Sequence, residues 1–504
     1  MDLLHHIGIG FSTSLQPMNL VYCFIGVLIG TLVGILPGLG PTAAISLLLP
    51  MTFHVPPVSG IIMMAGIYYG AMYGGSTTSI LVNIPGEAAS VVTCIDGYKM
   101  ALQGRAGPAL GISAFGSFIA GTLSVIGLML IAPPLANVAL RFGPPEYFLL
   151  MCLGLVLLSY LASNSVKKAL AMGAFGLFLG TIGRDTFTGI PRFCLGITEL
   201  QDGLGLIPVI MGLFGVSEVL INVEQVLKRS LLTTDKIKNI LPNLRDWIDS
   251  AWPIVRGTVI GFFLGILPGG SAVISSFLSY AVEKRMSKHP ERFGQGAIEG
   301  VAGPESANNA ATGGAFIPLL TLGIPSNSVM ALLLGSLLIY GIVPGPGLIT
   351  ENPDLFWGVV TSMYVGNVML LILNLPLIPL WIKLLKVPYS IFFPLILLFC
   401  LIGSYTMASS TVDLGIMIIF GVVGFFMKKY NYDSAPLILA FVLEPIMEDN
   451  LRQSLIISKG NFSVFLVRPI CIMILAVMTL IIFLPHCLKY LKQRFSSVEK
   501  RRSV

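Results

Sequence analysis

The sequence predicts an all-α polytopic membrane protein built from two inverted repeats, and three observations predict it. The chain has 504 residues, 55% of them hydrophobic and only 11% charged, with a mean hydropathy of +0.87. An average soluble domain carries about 25% charged residues. Apolar runs recur, many of them near the ~20 residues that cross a bilayer. Gly (55) and Pro (32) are abundant, and both are more frequent in membrane helices than in soluble ones. Such a composition excludes an ordinary soluble enzyme and a disordered chain. The net charge of +6 does not point to nucleic acid. The basic residues fall in short loops and at the C-terminus, where they orient the chain in the bilayer. The seven Cys include no CxxC pair and the five His form no cluster with metal-ligand spacing. The segment Met1-Asp2-Leu3-Leu4-His5 lacks Lys and Arg and reads as a poor signal peptide.

The first apolar stretch, 20–50, is interrupted by Leu36-Pro37-Gly38-Leu39-Gly40-Pro41. Others follow at about 58–93, 108–132, 146–162, 169–183 and 204–222. A charged linker at 224–250 carries Lys228, Arg229, Lys236, Lys238 and Arg245. A second set lies at about 252–281, 297–340, 355–381, 388–404, 412–427, 434–447 and 464–486, before a basic tail. The Lys/Arg bias puts the linker, the tail, Lys99/Arg105, Lys167/Lys168, Lys383/Lys386, Lys428/Lys429 and the loop 283–292 on the cytoplasmic side. The stretch 252–281 then lies between two basic loops on one side. It reads as a hairpin that enters and leaves from the cytoplasm, turning at Pro268-Gly269-Gly270. Two arms of about 13 residues would each reach about 20 Å, near mid-membrane.

That turn has a twin. Gly30 to Gly38 (GTLVGILPG) matches Gly261 to Gly269 (GFFLGILPG) at six of nine positions, with an offset of 231. Gly74-Gly75 with Asn83-Ile84-Pro85-Gly86 is echoed by Gly313-Gly314 with Gly323-Ile324-Pro325-Ser326, one residue longer. Two echoes in one order argue for a duplicated unit. The loop 51–57 has no Lys or Arg while its counterpart 283–292 has four, and the loops 94–107 and 341–354 reverse that bias. The halves are therefore expected to lie upside down relative to each other. The expected division is a first repeat at 1–223, a cytoplasmic linker at 224–250, a second repeat at 251–463, and a final span with a cytoplasmic tail at 464–504. The preferred count is 11 crossings plus two hairpins; 12 spans, with the first hairpin crossing fully, is the rival. Inverted repeats with broken helices typify secondary transporters, which bind near the bilayer midplane.

Each half offers two breaks. The hairpin tips hold Pro37, Gly38 and Gly40 in one half and Pro268, Gly269, Gly270 and Ser271 in the other. The second break is polar backbone inside an apolar run. It holds Gly74, Gly75, Ser76, Thr77, Thr78 and Asn83, and then Glu305, Asn308, Asn309, Thr312, Gly313, Gly314, Pro325, Ser326 and Asn327. Half-helix N-termini offer N–H groups to anions, and free carbonyls at C-terminal ends suit Na⁺. A lone Gly-Gly in a membrane helix is more often close packing; recurrence at matched positions is what favours a site. Glu305 is the sharpest single residue, because embedded carboxylates are costly and usually functional. Pro304 is expected as the first residue of its helix, with Glu305 in the first turn. Glu87 and Asp96 read as helix-end residues, and Arg141, Arg184, Asp185 and Arg192 as solvated charges of outer loops. No Ser/His/Asp constellation is evident, so catalysis is poorly supported. A channel lined by the hairpin tips is the alternative to a transporter.

The strings GTLVGILPGLGPTAAISLLLP, YYGAMYGGSTTSILVNIPGEAASVVTCIDGYKMA and GAIEGVAGPESANNAATGGAFIPLLTLGIPS together resemble the large membrane subunit of the tripartite tricarboxylate transporters, the TctA family. The resemblance runs nearly end to end and includes Glu444 to Ser454. It implies a bacterial inner-membrane importer of carboxylates such as citrate, coupled to Na⁺ or H⁺. It also implies a small four-span membrane partner and a periplasmic solute-binding protein.

Overall fold

The computed structural model describes all residues except 1–2, 37–39, 53, 162–164, 186, 225–239, 385–391, 409 and 484–504. It is a helical membrane protein whose described strands are two short pieces, Gly183–Arg184 and Pro191–Arg192, paired antiparallel. The first half runs through α1 (Leu3–Ser14), α2 (Pro17–Ile35), α3 (Gly40–Thr52), α4 (Pro57–Val82), α5 (Val91–Leu102), α6 (Ala106–Ala139), α7 (Pro144–Leu161) and α8 (Val166–Gly180). It ends in α9 (Leu206–Ile210), a π-helical turn (Met211–Val216) and α10 (Ser217–Glu224). The second half begins with α11 (Leu244–Ile266), α12 (Ala272–Met286), α13 (Glu299–Leu322) and α14 (Ser328–Ile339). Then come α15 (Leu348–Glu351), α16 (Pro353–Asn374), α17 (Ile378–Leu384), α18 (Phe392–Ala408), α19 (Thr411–Lys429), α20 (Ser434–Ile457) and α21 (Val464–Val467). Among the described residues, α2, α6, α16 and α19 are long and apolar enough to cross a membrane. Shorter apolar helices include α3, α14 and Pro469–Phe483.

The core is built on α4 and α13. Every residue from Ser59 to Leu81 and from Gly300 to Thr321 is buried. A helix buried all round has no solvent face, so its polar side chains must find partners inside the protein. The hairpins pack on these two helices through glycine. Gly26, Gly30 and Gly34 of α2 lie against the backbone of Met63, Ile67 and Ala71 of α4. Gly257, Gly261 and Gly265 of α11 lie likewise against Gly303, Ala307 and Ala311 of α13. A Cβ at any of the six would collide with the facing carbonyl oxygen. This spacing, small residues four apart, lets two backbones approach closely where lipid supplies no hydrophobic drive. Both pairs run parallel, because the short return helices α3 and α12 bring the chain back before α4 and α13 begin.

Four sequence expectations need correction. Pro304 is not the start of its helix: α13 begins at Glu299, so Glu305 lies in its second turn. The hairpin arms are unequal, 23 residues in α11 against 15 in α12, and α11 begins within the stretch read as linker. The Gly-Gly echo is not in register. Gly74 and Gly314 are the structural equivalents, facing Thr31 and Phe262, so a uniform offset of 240 relates α4 to α13 and no extra residue is needed. Asp185 is not a solvated charge. It is 5% exposed and takes both guanidinium nitrogens of Arg452, at 3.0 and 2.6 Å. Arg452 holds the Asp185 carboxyl well below the usual carboxylate range. Arg192 makes a two-pronged pair with Glu448 beside it, at 2.9 and 3.0 Å.

Candidate functional site

Both core helices stop in the same way. Asn83 caps α4 with φ +55°, and Gly323 caps α13 with φ +70°. In each case an Ile-Pro follows, and proline cannot continue a helix. The chain then folds back on the hairpin of its own half. Gly86 packs on the carbonyl of Gly34, and the Gly269 N–H donates to the Ser326 carbonyl at 2.8 Å. Gly269 needs its left-handed φ of +80° to make that turn. A new helix starts at once from each break: α5 after Glu87, α14 after Asn327. Glu87 accepts from the Ala89 N–H at 2.6 Å in the short turn leading into α5, and Asn327 accepts from the Met330 N–H at 3.0 Å. Ser271 caps α12 in the same manner, at 3.3 Å from the Ile274 N–H.

The halves interlock at this level. Thr42 at the start of α3 meets Ser328 at the start of α14, oxygen to oxygen at 3.3 Å. The Asn327 amide donates to the Tyr68 hydroxyl of α4 at 3.1 Å, and Tyr68 lies 6.4 Å from Phe316. Eight residues farther along α4, Ser76 donates to Glu305 at 2.5 Å, and Glu305 precedes Phe316 in α13. The two core helices therefore run antiparallel where they meet. Residues 96–105 and 280–297 share one end of the molecule. There Asp96 accepts from the Gly294, Gly296 and Ala297 N–H groups at 2.7–2.9 Å and from the Tyr280 hydroxyl at 2.9 Å. Tyr340 and Thr52 meet at the other end, 2.6 Å apart.

Glu305 is the polar centre. It is fully buried and accepts from the hydroxyls of Ser76 on α4 and Thr93 on α5, both from the other half. Among the described residues no Lys, Arg or His pairs with it or with the buried Glu87. A carboxylate in such a place must take a proton, take a cation, or be held by hydroxyl and N–H donors. Asn309 lies one turn along α13 and donates to the Glu305 carbonyl at 3.0 Å and to Ser117 of α6 at 2.8 Å. Several buried polar atoms have no hydrogen-bond partner among the described residues: both amide atoms of Asn308, the hydroxyls of Ser306, Ser326 and Tyr73, and one oxygen of Glu87.

The structure thus brings together Ser76, Glu305 and Asn309 in one network. A second focus holds Gly269, Ser326, Asn327 and, beside them, Gly270 and Ser271. Thr78 and Thr312 bond their own helices, to the Gly75 and Asn308 carbonyls, and Thr77 is buried with them. Gly74 and Gly314 are packing residues against α2 and α11, Gly75 makes room for Glu87, and Gly313 for Ser124. Gly40 has φ +61° at the start of α3, Asn83 is exposed, Pro268 is half-buried and Pro325 is buried. Pro37 and Gly38 lie outside the described residues. The sequence reading undervalued Glu87 and Asp96, both buried, and missed Tyr68, Thr93 and Ser117. For Tyr68 the available signal was a tyrosine inside an apolar run; Thr93 and Ser117 carried none, because the partner that makes them matter is in another helix. Among the described residues no group of three His, Cys, Asp or Glu could hold a metal ion.

A family model described as the tripartite tricarboxylate transporter TctA family matches residues 20–439. An uncharacterised 52.8 kDa protein from the TAR-I ttuC' 3' region of Agrobacterium vitis is 52% identical over 477 residues, 95% of each chain. An uncharacterised protein from the TAR-II ttuC' 3' region of the same organism is 53% identical over 210 residues, 42% of this chain and 87% of its own. No solved structure matches.

Proposed function

The chain belongs to the tripartite tricarboxylate transporter TctA family, and from that premise we propose that it is the subunit that moves a carboxylate inward across a bacterial inner membrane, driven by a Na⁺ or H⁺ gradient. A periplasmic solute-binding protein would deliver the substrate, a tricarboxylate such as citrate or a related organic acid. A small four-span membrane protein would complete the complex. The observation that carries the reading is the meeting of helix starts between antiparallel core helices: α3 beside α14, and α12 beside the short turn that leads into α5. Helix N-termini present N–H groups and a positive dipole end to an anion. The hairpin tips and the segments around Ser76 and Asn308 are the proposed substrate contacts. Glu305 and Glu87, buried without basic partners, are the proposed seat of the coupling charge.

The antiparallel meeting of α4 and α13, and the grouping of the basic loops around 96–105 and 280–297, support two inverted repeats at 1–223 and 251–463. They also support a cytoplasmic face that carries the linker and the tail. Breaks with both ends re-satisfied suit alternation of one bundle against the other around a fixed site. Uptake of labelled citrate and related acids into proteoliposomes, with the small subunit and the binding protein present, tests the proposal. Saturable uptake that follows an imposed Na⁺ or pH gradient is expected. Gradient-independent anion currents without saturation would replace the transporter by a channel.

A further inference from the structure

One turn along α13 from Glu305 lies a cavity of about 20 Å³, lined by α4, α6, α13 and α16. Its polar lining is Tyr69, Ser124, Asn309, Thr312 and Asn367, and its apolar wall includes Phe316 and Met363. A space of this size holds one water-sized particle. The decisive feature is where the protons go. The Ser124 hydroxyl donates to the Gly121 carbonyl at 2.8 Å, and the Thr312 hydroxyl to the Asn308 carbonyl at 3.0 Å. Both donors of the Asn309 amide nitrogen are committed, to Ser117 and to the Glu305 carbonyl. That amide cannot be turned over, because the Glu305 carbonyl only accepts. Three neighbours of the cavity therefore have only oxygen lone pairs left to offer. Among the described residues the side chain of Asn367, 4% exposed, makes no hydrogen bond, and its amide adds a fourth oxygen by rotation. No charged side chain lines the space.

We propose that this cavity binds one monovalent cation of Na⁺ size, stripped of water and held by the neutral oxygens of Ser124, Asn309, Thr312 and Asn367. A divalent ion would demand carboxylates, whereas neutral oxygens compensate a single charge with no buried anion to neutralise when the ion leaves. Asn309 transmits occupancy. A cation on its Oδ1 polarises the amide and strengthens the N–H bonds that hold the Glu305 turn and Ser117. The assignment deepens the ion-coupled reading above and rests on it for the ion's purpose, though not for its binding.

The test is ²²Na⁺ binding to the purified full-length chain in detergent, with no carboxylate present. Saturable binding is expected, displaced by unlabelled Na⁺ and not by equimolar K⁺. Thr312→Val and Ser124→Ala, which remove one oxygen each at nearly constant shape, are expected to weaken Na⁺ binding at least about tenfold. Their unfolding temperatures in Na⁺-free choline buffer should stay at the parent value, with loss of the Na⁺-induced rise. Absence of saturable binding in the parent protein overturns the proposal, as does unchanged affinity in both folded variants. If either variant fails to fold, Asn367→Leu on the opposite wall gives the same reading. Na⁺ binding at this cavity in a protein that moves no carboxylate would keep the ion site and sink the transport reading, so the two fail separately.

Discussion

Gly26, Gly30 and Gly34 hold α2 on α4, and Gly257, Gly261 and Gly265 hold α11 on α13 in the same register. The contents of the two core helices differ at nearly every matched position. Ala65 stands where the second half has Glu305, Tyr68 where it has Asn308, and Tyr69 where it has Asn309. The order inverts farther along, with Ser76 in the first half opposite Phe316 in the second. Glu87 and Asn327 occupy one position and do one backbone job with different charge. The difference separates two kinds of constraint. Backbone approach is a steric condition that both halves must meet alike. The polar filling is a single shared network, so each half needs to supply only part of it. Ser76 and Glu305 are complementary rather than equivalent, and a symmetric pair of carboxylates at that spot would repel.

The largest effect should come from the shared frame. Gly30→Leu and Gly261→Leu each push a side chain into a facing carbonyl with no room to yield. Each is expected to cost more than about 3 kcal/mol, the upper end of overpacking, read as loss of monodisperse protein and of thermal stability. If one half tolerates its leucine, the frames are not equivalent. Next in size is the unequal filling. Glu305→Gln keeps shape and removes charge, and is expected to lower carboxylate uptake at least about tenfold while the protein still inserts and folds. Glu87→Gln should lower it less, because Glu87 already serves as a cap. Equal losses, or none, would return Glu305 to a structural role. Smallest is the capping pair. Asn327→Ala and Glu87→Ala should each cost about 1 kcal/mol of stability. Asn327→Ala should cost the more of the two, since it also abandons the Tyr68 hydroxyl. The measurement is the shift in unfolding midpoint of each variant.

The helical membrane class was legible because it depends on composition and run length, and the breaks were legible because Gly, Pro and Asn must appear where a helix ends. Asn83, Gly269 and Gly323 are of that kind: their backbone angles demand those residues. Glu305 stood out because a charge inside an apolar run has few inexpensive explanations. What could not be read were partners. Asp185 looks like any loop acid until Arg452, far along the chain, is placed against it. Thr93, Ser117 and Asn367 are ordinary residues of apolar segments until four helices bring them beside Glu305 and Asn309.

By itself the sequence determined the solvent this protein lives in, the places where its helices break, and the recurrence of one glycine spacing before each hairpin turn. All three follow from local chemistry: apolar surface, backbone angles and repeated small residues. Tertiary structure alone decided the offset of 240 between the core helices, the antiparallel meeting of Ser76 with Glu305, and the placing of the Ser124 and Thr312 hydroxyls, each donating to a carbonyl of its own helix, around one cavity. Those depend on which oxygen faces which across separate helices, and hydrogen-bond direction is a property of pairs rather than of residues.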